Sequence, residues 1–158
     1  MPKTVSLEEF SLSAGRELEP SDWLEINQQR VNLFADATED HQFIHVNPER
    51  AAATPFGGTI AHGYLTLSLL VYLNNQAALV PEGLSMVINY GSDKVRFMAA
   101  VPVGSRIRSH QKILEVTHRG RDMWLVKYAV TVEIENRPKP AMMAEILLMF
   151  VVGRQNAE

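Results

Sequence analysis

The spacing of apolar residues changes once along this chain, at Pro81-Glu82-Gly83, and that single change limits the folds open to it. Beyond this point Trp124, Val126, Tyr128, Val130, Val132 and Ile134 occupy every second position. That is the period of a strand with one face turned to a core. Further strands are expected over Met86 to Tyr90, Arg106 to Val116 and Met142 to Val152, with turns at Gly120 and in the Asn136 to Pro140 cluster. Before the change the signals are helical. From about Ala61 to Leu79, residues Leu65, Leu67, Leu69, Leu70, Val71 and Leu73 place apolar groups on nearly every side, the mark of a long buried helix. Three shorter helices precede it. One runs from Leu7 to Ala14, with Ser6 and Glu9 at capping-box spacing, Val5 and Phe10 as a hydrophobic staple and Gly15 as its stop. Another is capped by Asn27 and ends near Thr38, and a third is opened by Asn47-Pro48-Glu49 and lasts to about Ala53. Helices first and strands second argue for an α+β fold with an antiparallel sheet rather than alternating βαβ units, and one long helix wrapped by a curved sheet fits that order.

Composition narrows the function. A chain of 158 residues with 46% hydrophobic content reads as one domain with a proper core, without internal repeat or linker. Fifteen basic against eighteen acidic side chains give a net charge of −3, which offers no general attraction for nucleic acid or an anionic membrane. Any anionic ligand must be held locally. With no cysteine there is no disulfide framework, thiolate metal site or cysteine nucleophile, and no signal-peptide pattern opens the chain, so a cytoplasmic location is expected. The most apolar stretches, Ile60 to Val80 and Ala141 to Val152, are broken by His62, Asn74, Asn75 and Glu145 and do not read as membrane spans.

The segment from Phe34 to Leu70 carries the chemistry. Asp40 and His45 stand five positions apart on the connection between two helices, where they can face each other across one water molecule, as acid/base work on water requires. The competing reading makes them solvated or capping loop residues. His62 either lines the site or bonds a nearby carbonyl as a buried histidine, and the structural role carries more weight. His41 reads as a solvated loop residue, and His110 and His118 carry no motif. Tyr64, Leu67, Val71 and Met86 are core residues by default and channel-lining residues by alternative.

Asp40 to His45, followed by Ile60-Ala61-His62-Gly63 at a helix start, resembles the two elements of the MaoC-like dehydratases, in the branch of (R)-specific enoyl-CoA hydratases and nodulation protein N relatives. Asn89-Tyr90-Gly91, Val95-Arg96-Phe97 and Pro102-Val103-Gly104 extend the resemblance over most of the chain. The commonest family pattern has Gly before the acid and Asn-Pro inside the first element; here Glu39 and Gln42-Phe43 stand there. The resemblance implies a hotdog fold, paired into a homodimer, and hydration of the trans-2 double bond of an acyl thioester to an (R)-3-hydroxyacyl product, without metal or other cofactor. It assigns Asp40 and His45 to the water and the Gly63 N–H to the thioester oxygen, with His62, Tyr64, Asn89 and Gly91 as substrate-binding candidates. The partner is an acyl-CoA or acyl-carrier-protein thioester, whose phosphates Lys94, Arg96, Arg106 or Arg108 could meet, although Arg106 and Arg108 share a strand face and more readily serve the solvated side of the sheet. A hotdog thioesterase and a non-catalytic acyl-thioester-binding protein are the alternatives.

Overall fold

The structure, a computed structural model, describes residues 2–153. Its first half is short pieces: β1 (Lys3–Val5), α1 (Leu7–Ser11), β2 (Leu24–Glu25), α2 (Gln28–Thr38), α3 (Phe43–Val46), α4 (Pro48–Ala52), α5 (Gly63–Ser68) and α6 (Leu70–Gln76). Its second half is strands: β3 (Leu79–Pro81), β4 (Leu84–Phe97), β5 (Arg106–His118), β6 (Met123–Ile134) and β7 (Met142–Val152). Five strands form one antiparallel sheet in the order β2-β5-β6-β7-β4. The α5–α6 segment lies against its inward face, where Leu65, Leu70 and Leu73 join Ile107, Ile113, Val126 and Val130 in one core. This is the α+β arrangement of helix and antiparallel sheet expected from the order of elements, and the hotdog fold that the family resemblance implies. No described helix is long and apolar enough to cross a membrane.

The long helix departs from expectation at both ends and on one side. Ala61 donates its N–H to Val101 O at 2.8 Å and Ile60 bridges Pro102, so these residues are committed to strand-like pairing and helix begins only at Gly63. At the other end Leu79 is taken into β3, which pairs in parallel with β1, and helix stops at Gln76. That parallel pair is itself an addition to the expected antiparallel scheme. Between α5 and α6 the helix is disturbed at Leu69, one residue after Ser68, whose hydroxyl donates to Tyr64 O at 2.8 Å and competes with the backbone for that carbonyl. Nor is the helix buried all round: Tyr64, Val71 and Tyr72 are exposed.

Other boundaries follow from local chemistry. Ser6 caps α1 by accepting from Glu9 N at 3.1 Å, and Val5 and Phe10 are both buried, but α1 closes at Ser11, short of Ala14. Asn27 and Asn47 cap α2 and α4 as read. Strands β5, β6 and β7 lie close to the residues expected of them, whereas β4 runs well past Tyr90 to Phe97. Its pairing with β7 is shifted in three places, one of them spanning Lys94 at φ 51°, and bulges of this kind erase the two-residue period.

Candidate active site

Helix α2 delivers the acid. It ends at Thr38, and Glu39 follows with φ 59° and ψ 18°, a left-handed turn that ends the helix and sends Asp40 into the loop beside α3. A single turn of helix, α3, then carries His45 inward, while the Asp40 side chain stays about half exposed. Gln28, at the first position of α2, holds the two helices together: its amide nitrogen donates to His45 O at 2.7 Å and its amide oxygen accepts from Thr59 Oγ1 at 2.6 Å.

His62 enters from the other side, as the residue just before α5. Its ring stacks on that of His45, with centroids 3.8 Å apart and planes 25° from parallel, and Phe34 closes its far side at 5.0 Å. Backbone carbonyls fix both protons, because a carbonyl can only accept. His45 Nδ1 donates to Ile60 O at 2.7 Å, which leaves its Nε2 lone pair free. His62 Nε2 donates to Asp40 O at 2.9 Å, and its Nδ1 is buried without a partner among the described residues. Burial pushes the His45 pKa below its ordinary 6.5, and the neighbouring His62 adds to the effect; the bond to Ile60 O and the charge of Asp40 oppose it. His45 is therefore neutral at neutral pH and presents a basic nitrogen.

Asp40, His45 and His62 each bring one oxygen or nitrogen atom within 4.8 Å of the other two. That spacing suits a water held between them. As a metal site the trio is poorly built: an ion must lie in the plane of each imidazole it binds, and two rings stacked face to face cannot both satisfy that at one point.

Gly63 is the first residue of α5, so its N–H has no intrahelical acceptor. A side chain here would meet the Phe97 ring at 3.0 Å, which explains glycine at this position by packing alone. Tyr64 is exposed and tilts against Phe97 at 5.8 Å. Asn89 and Gly91 lie away from the trio. They line a groove of about 600 Å³ between α5–α6 and the sheet, together with Leu67 and Val71 but without Tyr64 or Met86. None of Asp40, His45, His62 and Gly63 borders this groove, which begins at Leu67, a turn farther along the helix that Gly63 opens. Of the four basic candidates, Lys94, Arg106 and Arg108 pair with Glu145, Glu135 and Glu133. Among the described residues Arg96 is the one of these four without a carboxylate partner. His41 is exposed and bonds Asp36 at 2.8 Å, which raises its pKa.

A family model described as a MaoC like domain matches residues 9–136. The chain belongs to the MaoC-like dehydratase family. Within it, the chain is 49% identical to 3-hydroxyacyl-thioester dehydratase Z of Mycobacterium tuberculosis, over 92% of this chain and 96% of that one. It is 50% identical to nodulation protein N of Rhizobium leguminosarum bv. viciae, over 89% and 88%. The fold is also that of the unliganded R-hydratase PhaJ1 from Pseudomonas aeruginosa, with a TM-score of 0.72 at 24% identity, over 92% of this MaoC-like chain and 88% of that one. Sequence reading named Asp40, His45, His62 and Gly63 as candidates; the structure brings the first three together, and His62 bonds a backbone carbonyl as its structural reading expected. Sequence reading missed Gln28, Thr59 and Phe34, whose part depends on contacts between distant segments and which carry no local signal.

Proposed function

We propose that this chain catalyses the (R)-specific hydration of trans-2-enoyl-CoA and the reverse dehydration of (R)-3-hydroxyacyl thioesters. The observation that carries the reading is the meeting of the Asp40 carboxylate and the neutral His45 imidazole with His62, their polar atoms within 4.8 Å of one another and His62 just before the helix that Gly63 opens, in a chain about half identical to a 3-hydroxyacyl-thioester dehydratase. Asp40 and His45 hold one water as a coupled pair; the hydroxyl goes to the β-carbon and a proton goes to the α-carbon. Charge that develops on the thioester oxygen is met by the Gly63 N–H, and a donor of this kind is worth about 3 kcal/mol. The mechanism calls on no metal and no cofactor.

Pairing of two copies completes this reading. Edge strand β4 exposes Met86, Val87, Ile88 and Tyr90 on both of its faces, apolar surface that a second copy would cover.

The test follows the ultraviolet absorbance of a short trans-2-enoyl-CoA, with chiral analysis of the product, for wild type, Asp40→Asn and His45→Gln. Expected are an (R)-3-hydroxyacyl product and a loss of about a thousandfold in each variant. Release of free coenzyme A thiol in place of hydration would mean a thioesterase, and tight binding without turnover would mean an acyl-thioester-binding protein.

A further inference from the structure

The groove beside α5–α6 has apolar walls and a polar floor. Leu67, Val71, Val87 and Leu148 are among the walls, and Asn74, Gln111 and Tyr128 reach it from α6, β5 and β6. These three side chains are each at least nine-tenths buried. Gln111 and Tyr128 are diagonal neighbours on the inward face of the sheet, Gln111 opposite Val130 and Tyr128 opposite Ile113. Their bonding is half complete. The Gln111 amide nitrogen donates to Asn74 O at 3.1 Å, and Ser109 Oγ donates to Asn74 Oδ1 at 2.6 Å. Among the described residues nothing takes up the Gln111 amide oxygen, the Asn74 amide nitrogen or the Tyr128 hydroxyl.

An alkyl chain filling this groove would strip water from all three groups and return nothing, a cost that grows with the depth of burial. A charged chain end fits no better, because no Asp, Glu, Lys, Arg or His lines the groove. A hydroxyl fits: it can donate to the Gln111 oxygen while accepting from Tyr128 or from the Asn74 amide. Burial raises the Tyr128 pKa, which keeps the phenol protonated and able to donate.

We infer that the groove selects acyl thioesters whose chain carries an uncharged hydrogen-bonding group, such as a hydroxyl, seated among Asn74, Gln111 and Tyr128. This rests on the hydratase reading for the identity of the thioester, and on the geometry of the groove alone for the polarity of the chain.

The experiment compares matched pairs of trans-2-enoyl-CoA esters, one with a terminal hydroxyl and one with a terminal methyl, over short to medium chain lengths. Each variant is read as the ratio of kcat/KM within a pair, so that loss of folded protein cancels. Wild type should favour the hydroxylated member at one length by at least about tenfold, since a site built to bond a hydroxyl discriminates against the analogue that lacks it. Tyr128→Phe and Asn74→Leu should each carry the ratio toward the methyl member. A wild-type preference for the methyl member at every length would overturn the inference, as would a ratio unmoved in both variants. Calorimetric competition between the saturated pair, run on Asp40→Asn, gives the same preference without turnover. If no enoyl ester is hydrated but that binding preference stands, the hydratase reading fails and the chain selectivity survives. If hydration proceeds with no preference, the reverse holds.

Discussion

Glu39 holds a left-handed backbone, with φ 59°, at the end of α2, where the family pattern most often has glycine. A residue with a side chain gives up about 1 kcal/mol in that conformation, and a carboxylate also sits badly at the negative end of a helix dipole. Glu39→Gly should therefore raise stability by about 1 kcal/mol, visible as a higher Tm in calorimetry. The backbone keeps the turn that positions Asp40 in either case, so kcat for a short enoyl ester should change little. His45 makes a pH prediction. Its pKa is depressed, so the neutral form, the base of the proposed reaction, persists below the ordinary 6.5 and is lost only as pH falls through the depressed value. The acid limb of kcat/KM should then lie below 6.5 and should vanish from the residual activity of His45→Gln. Stability follows the same sign. The unfolded chain binds this proton at about 6.5 while the folded chain resists it, so the contribution of the neutral ring is whole above that value and declines as pH falls through the folded pKa. A pH–rate limb above 6.5 would show instead that Asp40 dominates the environment of the ring. The candidate residues were legible one by one because their motif is local. The stacking of His62 on His45 was not, because it joins residues from either side of a long loop.

Between elements, Gln28 is the tie that motif reading could not supply. It joins α2 to the carbonyl of His45 and to Thr59, on the segment leading to α5, so one amide sets the relation of the two helices that hold the acid and the base. Gln28→Ala should cost about 1 to 3 kcal/mol by leaving those partners unmet. It should also lower kcat about tenfold with little change in KM, since positioning of the pair is affected more than substrate contact. Gln28→Glu keeps the Thr59 bond and loses the donor to His45, and its kcat should lie between the two. Equal KM and kcat effects in Gln28→Ala would point to a general loosening instead. Where the period is regular the element was readable: β6 appears as its alternation demands, while β5 and β7 fall where expected although β5 is shifted once against β6 after Ile113. Strand β4 was readable only in part, because three register shifts move its side chains from face to face. The start of α5 was misplaced for a different reason, the pairing of Ile60 and Ala61 with residues far along the chain.

At the scale of the whole molecule, part of the exposed apolar surface is gathered on two neighbouring elements. Met86, Val87, Ile88 and Tyr90 lie on edge strand β4, and Tyr64, Val71 and Tyr72 are exposed on α5–α6. Scattered apolar residues need no explanation, but a cluster along an open sheet edge does. The expected species in solution is a dimer by sedimentation, and Val87→Lys together with Ile88→Lys should shift it to the monomer with a loss of thermal stability. A wild-type monomer at micromolar concentration would remove the pairing from the proposal. The fold class was legible because helix and strand signals are segregated along the chain, whereas this surface was not, because periodicity says which face is apolar and not what covers it. The α5–α6 segment has one more property at this scale. Ile60 and Ala61 are bonded to Pro102 and Val101 just before it, and Leu79 is bonded into a strand pair with Lys3 just after it. The segment is thus a beam clamped at both ends, unable to slide along its axis or to swing outward like a door. On the proposed reading, a longer or bulkier acyl chain would have to be admitted without moving the beam. Room would then be made by rotation of side chains such as Leu67 and Val71, which line the groove, and the proposed chain selectivity would be written in a few residues rather than in the stiffness of the fold.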